Sequence, residues 1–225
     1  MIRTVFVYKR GYPQGSLFYF CPNPKSFCMT LCFATNNAHK LAEIQALLGS
    51  EFELKTLTEI GCLEEIPETQ STIAGNSRQK ANYVWEHYGI NTFADDTGLE
   101  VYALNGAPGV DSAHYAGPQR NANDNINRVW ENLEVSGKTF PAPARFLTVI
   151  TLVLEGTYHQ FEGTVEGTLI KEKRGENGFG YDPVFVPEGH ERTFAEMSMT
   201  EKSQLSHRAR AFAKLVAFLS QKPFA

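Results

Sequence analysis

The sequence predicts an α/β fold built on a mixed sheet, and three observations carry that prediction. Short apolar runs alternate with polar loops and with apolar stripes at helical spacing through the first two-thirds of the chain. A strong β-hairpin follows, 145–154 and 157–165, turned by Glu155-Gly156. An amphipathic helix then closes the chain. With 225 residues, 42% of them hydrophobic and 20% charged, the chain suits one substantial domain or two lobes sharing a core, and is short for two independent domains.

Residues 1–28 differ from all that follows: they are rich in aromatics, Gly and Pro, lack helical periodicity, and end just before Met29. They are expected to form an N-terminal extension, or a stretch upstream of a start at Met29, leaving 29–225 as the folded domain. Residues 30–35 read as the first strand, with Leu31-Cys32-Phe33-Ala34 its buried run. Leu41, Ile44, Leu47 and Leu48 form the stripe of a helix that Gly49 is placed to stop. Between strand and helix, residues 35–40 occupy the loop and first turn, where free N–H groups, the helix dipole and Lys40 attract anions. An Asn or Thr cap beside a solvated lysine explains the same residues equally well.

Residues 52–57 read as a second strand, followed by an acidic loop carrying Glu64, Glu65 and Glu68. Ser71 or Thr72 can cap a long helix to Tyr88, with Ile73, Ala81, Val84 and Trp85 inward and Gly89 as its stop. Residues 90–94 then form a strand that delivers Asp95-Asp96-Thr97-Gly98 at its exit. Adjacent acids there require a cation, a donor or a protonated partner, although a solvated turn is the simpler account of the stretch by itself. Residues 99–104 continue as strand or turn, 105–109 as a glycine-rich turn and 111–117 as a polar loop. A helix over 120–134 buries Ile126, Val129, Trp130 and Leu133, and 138–144 is a connection. Beyond the hairpin, glycines flank Phe179 in Gly178-Phe179-Gly180-Tyr181-Asp182-Pro183, so that its ring can either stack on a planar ligand or pack inward. A short strand at 184–186 precedes a last helix that begins near Ser203 or Ser206 and buries Ala209, Phe212, Leu215, Val216 and Leu219. Lys202, His207 and Arg208 near its first turns oppose the helix dipole unless an anion visits.

The net charge of −4 disfavours sequence-independent binding to nucleic acid, so no nucleic-acid partner is expected. Four cysteines, Cys21, Cys28, Cys32 and Cys62, form no CxxC pair and no zinc spacing, which points to reduced thiols in a cytoplasmic protein. No apolar run approaches the roughly 18 residues of a membrane span, and no membrane partner is expected.

Taken together, Thr35-Asn36-Asn37 with Lys40, Asp95-Asp96-Thr97-Gly98, the Gly178-to-Pro183 turn and Ser206-His207-Arg208 resemble, in that order, the inosine/xanthosine triphosphate pyrophosphatases, the Ham1-like enzymes. The resemblance runs from about Met29 to the end of the last helix. It implies hydrolysis of the non-standard purine triphosphates ITP, dITP and XTP to monophosphate and pyrophosphate with Mg²⁺, by a homodimer. The architecture expected is an elongated α/β fold, a long mixed central sheet flanked by helices in two lobes, with the nucleotide cleft between them. Carried over motif by motif, Thr35, Asn36, Asn37, Ala38, His39 and Lys40 hold the triphosphate together with Lys80. Glu68 and Asp96 hold the metal, and Asp96 is also the general base, with Asp95 as its structural support. Thr97 contacts substrate, and Phe179, Gly180, Tyr181, Asp182, Lys202, His207 and Arg208 bind the nucleoside. The chain departs from the family in two places: Gly75 precedes Asn76 where Glu is frequent, and Asp111 and His114 stand where tyrosine and arginine are frequent. Two other readings are a Maf-like nucleotide pyrophosphatase and a nucleotide-binding regulator without turnover. The GFGYDP and SHR stretches weigh against the first, and the intact Glu68 and Asp96 against the second.

Overall fold

The computed structural model describes residues 29–47 and 52–221. The expectations for residues 1–28 and for Leu48 and Gly49 fall outside that range. Among the described residues, six strands and five α-helices follow one another as β1 (Met29–Phe33), α1 (Ala38–Leu47), β2 (Phe52–Lys55), α2 (Ile73–Tyr88), β3 (Thr92–Val101), α3 (Ala122–Val135), β4 (Ala142–Leu154), β5 (Thr157–Leu169), β6 (Phe185–Pro187), α4 (Met199–Leu205) and α5 (His207–Leu219). The sheet order is β2-β1-β3-β4-β5-β6; β1 runs parallel to β2 and β3, and every later pair is antiparallel.

Local chemistry accounts for most of the elements. Thr72 caps α2 by accepting from Gly75 N at 3.0 Å, and Gly89 ends the helix in the left-handed conformation. Asn121 caps α3 through two backbone N–H groups. Glu155 and Gly156 both take positive φ, the geometry that a tight two-residue hairpin turn requires.

Two expectations are corrected. The stretch Asp95-Asp96-Thr97-Gly98 is not a strand exit: β3 runs through it, paired to β4 without interruption from Thr92↔Val153 to Val101↔Ala144. Asp and Gly are poor strand formers, so their local preference for a turn is overridden by the ladder they share with the thirteen-residue β4. Lys202 does not belong to the last helix either. It lies in the short α4, and Ser206 both ends α4 and caps α5 by accepting from Ala209 N.

The period of two along β3 sorts its side chains to opposite faces. Phe93 joins Leu31, Phe33, Ile150, Leu152 and the α5 residues Phe212 and Leu215 in one core. Ala94 faces the other way, onto Ala81 and Val84 of α2 with Cys32 and Val153. Farther along, Leu99 and Val101 belong to a third core with Ile126, Leu133, Phe146, Phe185 and Phe194. Asp95, Asp96 and Thr97 thus sit where one set of cores gives way to the next.

The seating of α5 on β5 is close. A Cβ placed at Gly163 would overlap the His207 carbonyl oxygen and lie 2.5 Å from Ala211 N. Gly163→Ala is therefore expected to destabilise the protein by about 1–3 kcal/mol, read as a lower denaturant midpoint with an unchanged slope. An unaltered midpoint would show that α5 can lift without cost.

Candidate active site

The site opens where β1 stops. β1 pairs with β3 only as far as Phe33↔Phe93, and the chain turns away after the Ala34 N to Phe93 O bond. From Ala94 onward that edge of β3 borders a cleft of about 840 Å³. Because the cleft lies along a strand edge, residues from both faces of the sheet reach it, Asp96 as well as Thr97. Of the residues predicted from sequence, Thr35, Asn36, Asn37, His39, Lys40, Glu68, Lys80, Asp96, Thr97, Phe179, Gly180, Tyr181, Asp182, Lys202 and His207 line it. Ala38 and Arg208 do not.

The turn entering α1 is organised by its own side chains. Asn37 Oδ1 accepts from His39 N at 3.0 Å and Lys40 N at 3.3 Å, and Thr35 Oγ1 accepts from Asn37 N at 3.2 Å. Asn37 thereby satisfies N–H groups that would otherwise be free for an anion. Lys40 leaves the turn inward, its Nζ 3.0 Å from Asp95 Oδ1.

The two adjacent acids have different environments. Asp95 is fully buried, and its second oxygen accepts from Arg208 Nε at 3.0 Å. Burial alone would raise its pKa, but Lys40, Arg208 and Lys80 outweigh burial and hold the carboxyl well below the usual range. Asp96, facing α2, has one oxygen 3.5 Å from Lys80 Nζ, and its Oδ2 is buried without a hydrogen-bond partner. Here burial prevails over Lys80 and Lys40, with Glu68 and Asp95 adding to it, and the pKa is raised. Lys80 also donates to Glu68 at 2.6 Å. It stays charged because Asp96 and Glu68 more than offset its own burial.

Among the described residues no group of three or more His, Cys, Asp or Glu side chains gathers into a metal cage. Glu68 and Asp96 nonetheless converge on one point, Lys80 Nζ, and Asp96 Oδ2 is a buried acceptor with nothing to accept. Two carboxylates are what an Mg²⁺ bound largely through water and phosphate oxygens asks of a protein, so the residues present fit that ion.

The Phe179 turn is tied to α4 by Asp182. This buried carboxylate accepts from Phe179 N at 2.8 Å and from Lys202 Nζ at 2.7 Å. Gly178 has φ +76°, and a Cβ there would overlap the Asp182 carboxylate. Phe179 is half-buried and stacked on His39 with ring centroids 5.3 Å apart, while Lys202 Nζ lies 5.1 Å from its centroid. Tyr181 contributes its ring, because its hydroxyl is spent on Ser112 O at 3.0 Å. His207 stacks on Phe146 at 4.5 Å, and its Nδ1 has no partner. Burial, with Arg208 and Lys202 nearby, keeps the imidazole neutral.

Arg208 is 1% exposed and binds Asp95, Glu43 and Thr97, the last at 3.2 Å, with its guanidinium 5.6 Å from the Phe179 ring centroid. Glu43 was not singled out from sequence. It accepts from Lys202 at 2.9 Å and from Arg208, joining the two halves of the site. Its position three residues after Lys40 and four before Leu47, on the inward side of α1, is the signal that marks it. Arg120, also unmarked, lines the cleft beside Glu65 at 3.7 Å.

The sequence model of the Ham1 family matches residues 31–218. The dITP/XTP pyrophosphatase of Porphyromonas gingivalis is 53% identical over 189 residues, 84% of this chain and 96% of the relative. That of Caulobacter vibrioides is 45% identical over 190 residues, 84% of this chain and 97% of the relative. The structure of a HAM1 protein from Coxiella burnetii aligns with a TM-score of 0.79 at 37% identity, covering 86% of this chain and all of that one. With a family match over most of its length and relatives this similar along nearly their whole chains, the protein belongs to the Ham1 family.

Proposed function

We propose that this protein hydrolyses the purine triphosphates ITP, dITP and XTP to the monophosphate and pyrophosphate, as a homodimer in the cytoplasm. The observation that carries the reading is a single cleft holding a buried, unpartnered carboxylate oxygen on Asp96 together with a separate aromatic and cationic group around Phe179. The first is equipped for proton abstraction, the second for a planar base. The relatives' activity on dITP and XTP supports the same conclusion, and the free, buried Cys32 and Cys62 suit a reducing compartment.

In the reaction a water oxygen bonds to the α-phosphorus, the bond from that phosphorus to the oxygen bridging to the β-phosphate breaks, and pyrophosphate leaves. The water proton passes to Asp96. Its Oδ2, buried and without a hydrogen-bond partner, is the acceptor available for that proton. Mg²⁺, held by Glu68 and Asp96, supplies charge neutralisation on the polyphosphate when bound. Lys80 and Lys40 exchange part of their contact with Glu68, Asp96 and Asp95 for phosphate oxygens at the cleft, and Thr97 lies beside them. The turn at Thr35, Asn36 and Asn37 carries the phosphate chain, with Ala38 and His39 at the start of α1.

Phe179 stacks on the base, flanked by Gly180, Tyr181 and Asp182. Lys202 and His207 present donors to a 6-keto oxygen. An adenine 6-amino group would leave those donors unpaired, at about 1–3 kcal/mol each. Arg208 acts from beneath by holding Thr97 and Asp95 in place.

Pyrophosphate release from ITP, XTP, dITP, ATP, GTP and dTTP, with Mg²⁺ and with EDTA, tests this reading. Turnover of ITP, dITP and XTP with Mg²⁺ and its loss in EDTA are expected. A preference for dTTP, or no turnover of any nucleotide, defeats the proposal. The neighbouring acids are separable by mutation. Asp96→Asn is expected to lower kcat by about a hundredfold or more with an unchanged thermal midpoint. Asp95→Asn is expected to cost about 3–5 kcal/mol of stability by stranding Lys40 and Arg208 against a neutral amide. An active Asp96→Asn enzyme, or an Asp95→Asn protein as stable as wild type, would remove the corresponding role. Phe179→Ala should raise KM for ITP more than it raises the inhibition constant of pyrophosphate; equal increases argue against base stacking.

A further inference from the structure

The cations that line the cleft are not equally free to meet a phosphate. Lys40, Lys80 and Lys202 have side chains 13% exposed or less, each within 3.0 Å of a carboxylate. Arg120 differs in three ways. Its side chain is 57% exposed, that of its partner Glu65 is 83% exposed, and the two lie 3.7 Å apart, a loose pair that is exchanged at little cost. Its backbone is held at φ +53°, a conformation that arginine seldom adopts, in the loop just before α3. It also lines the cleft near enough to Glu68, the carboxylate that Lys80 binds, for its charge to favour that carboxylate's ionised form. An incoming triphosphate therefore meets buried cations already committed to acids and one exposed arginine whose planar fork matches a phosphate.

We propose that Arg120 is a further substrate-positioning residue, which leaves Glu65 to bind the terminal phosphates of the substrate, the part that departs as pyrophosphate. This role rests on the pyrophosphatase reading of the cleft. Glu65 serves as the resting partner that keeps the guanidinium aimed inward between turnovers.

The test measures binding of inorganic pyrophosphate and of inosine monophosphate, each with Mg²⁺, by calorimetry on the full chain. Arg120→Ala is expected to weaken pyrophosphate about tenfold, the loss of one charge-assisted contact, and to leave the monophosphate within twofold. Arg120→Gly, whose residue suits the left-handed backbone, should show the same loss, and Arg120→Lys should recover part of it. For ITP, KM should rise more than kcat falls. Unaltered pyrophosphate binding in Arg120→Ala overturns the proposal. So does equal weakening of both products, or full recovery in Arg120→Gly, which would assign the effect to the loop backbone. A wild-type protein that binds pyrophosphate through Arg120 yet hydrolyses no nucleotide would defeat the enzymatic reading and leave this contact standing.

Discussion

A chain of alternating charges that runs through the buried Asp95 is the constraint on which the rest of the site depends. Lys40 from the turn into α1, Asp95 from β3, Arg208 from α5, Glu43 from α1, Lys202 from α4 and Asp182 from the Phe179 turn follow one another through direct ion pairs. The inner charges lie between opposite ones, and at Asp95, Glu43 and Arg208 those neighbours outweigh desolvation. At the two ends burial prevails, lowering the pKa of Lys40 and raising that of Asp182. Asp95 and Glu43 are held ionised by this arrangement, despite a burial that pushes the other way. The chain also joins the two functional groups mechanically. The turn that carries Lys40 and the turn that carries Phe179 cannot shift independently without breaking a buried pair.

The adjacency of Asp95 and Asp96 has its purpose in the pleat of β3. Neighbouring residues on a strand point to opposite faces, so two carboxylates next to each other in sequence have separate surroundings. One is given cations on all sides and becomes framework. The other is given burial, one distant lysine contact and an oxygen without a hydrogen-bond partner. A turn, the local preference of these residues, would have left both in water with ordinary acidity. The ladder with β4 is what creates the difference.

The early end of β1 has a comparable effect. If β1 continued beside β3, its backbone would fill the edge along which Asp96, Thr97 and Gly98 border the cleft. Its stop at Phe33 is followed by Thr35 and Asn37, side chains that cap α1 and turn the chain away from the sheet. A strand end, a helix start and a free strand edge thus coincide, and the site is built where they meet.

Much of this was legible in the residues themselves. The stripe and caps of α2, the Glu155-Gly156 turn and the inward face of α5 are short-range patterns, and the helices and the hairpin formed where those patterns stood. The segments that bear Lys40, Asp96 and Phe179 stood out too, because their residue types are chemically costly without a compensating partner. What local pattern could not reveal was the path of β3 through its acids, the separate helix that carries Lys202, the burial of Arg208 among Asp95, Glu43 and Thr97, and Glu43 as the link between the two halves. Each of these depends on partners from 20 to 165 residues distant. The sequence by itself determined most of the helices, the hairpin and where the chemistry-bearing residue types cluster, since propensity, periodicity and charge are properties of neighbours along the chain. Only the tertiary structure decided how differently the two adjacent acids are placed, one held among cations and the other buried with an unpartnered oxygen, because that is set by desolvation and by the cations that folding brings to each face.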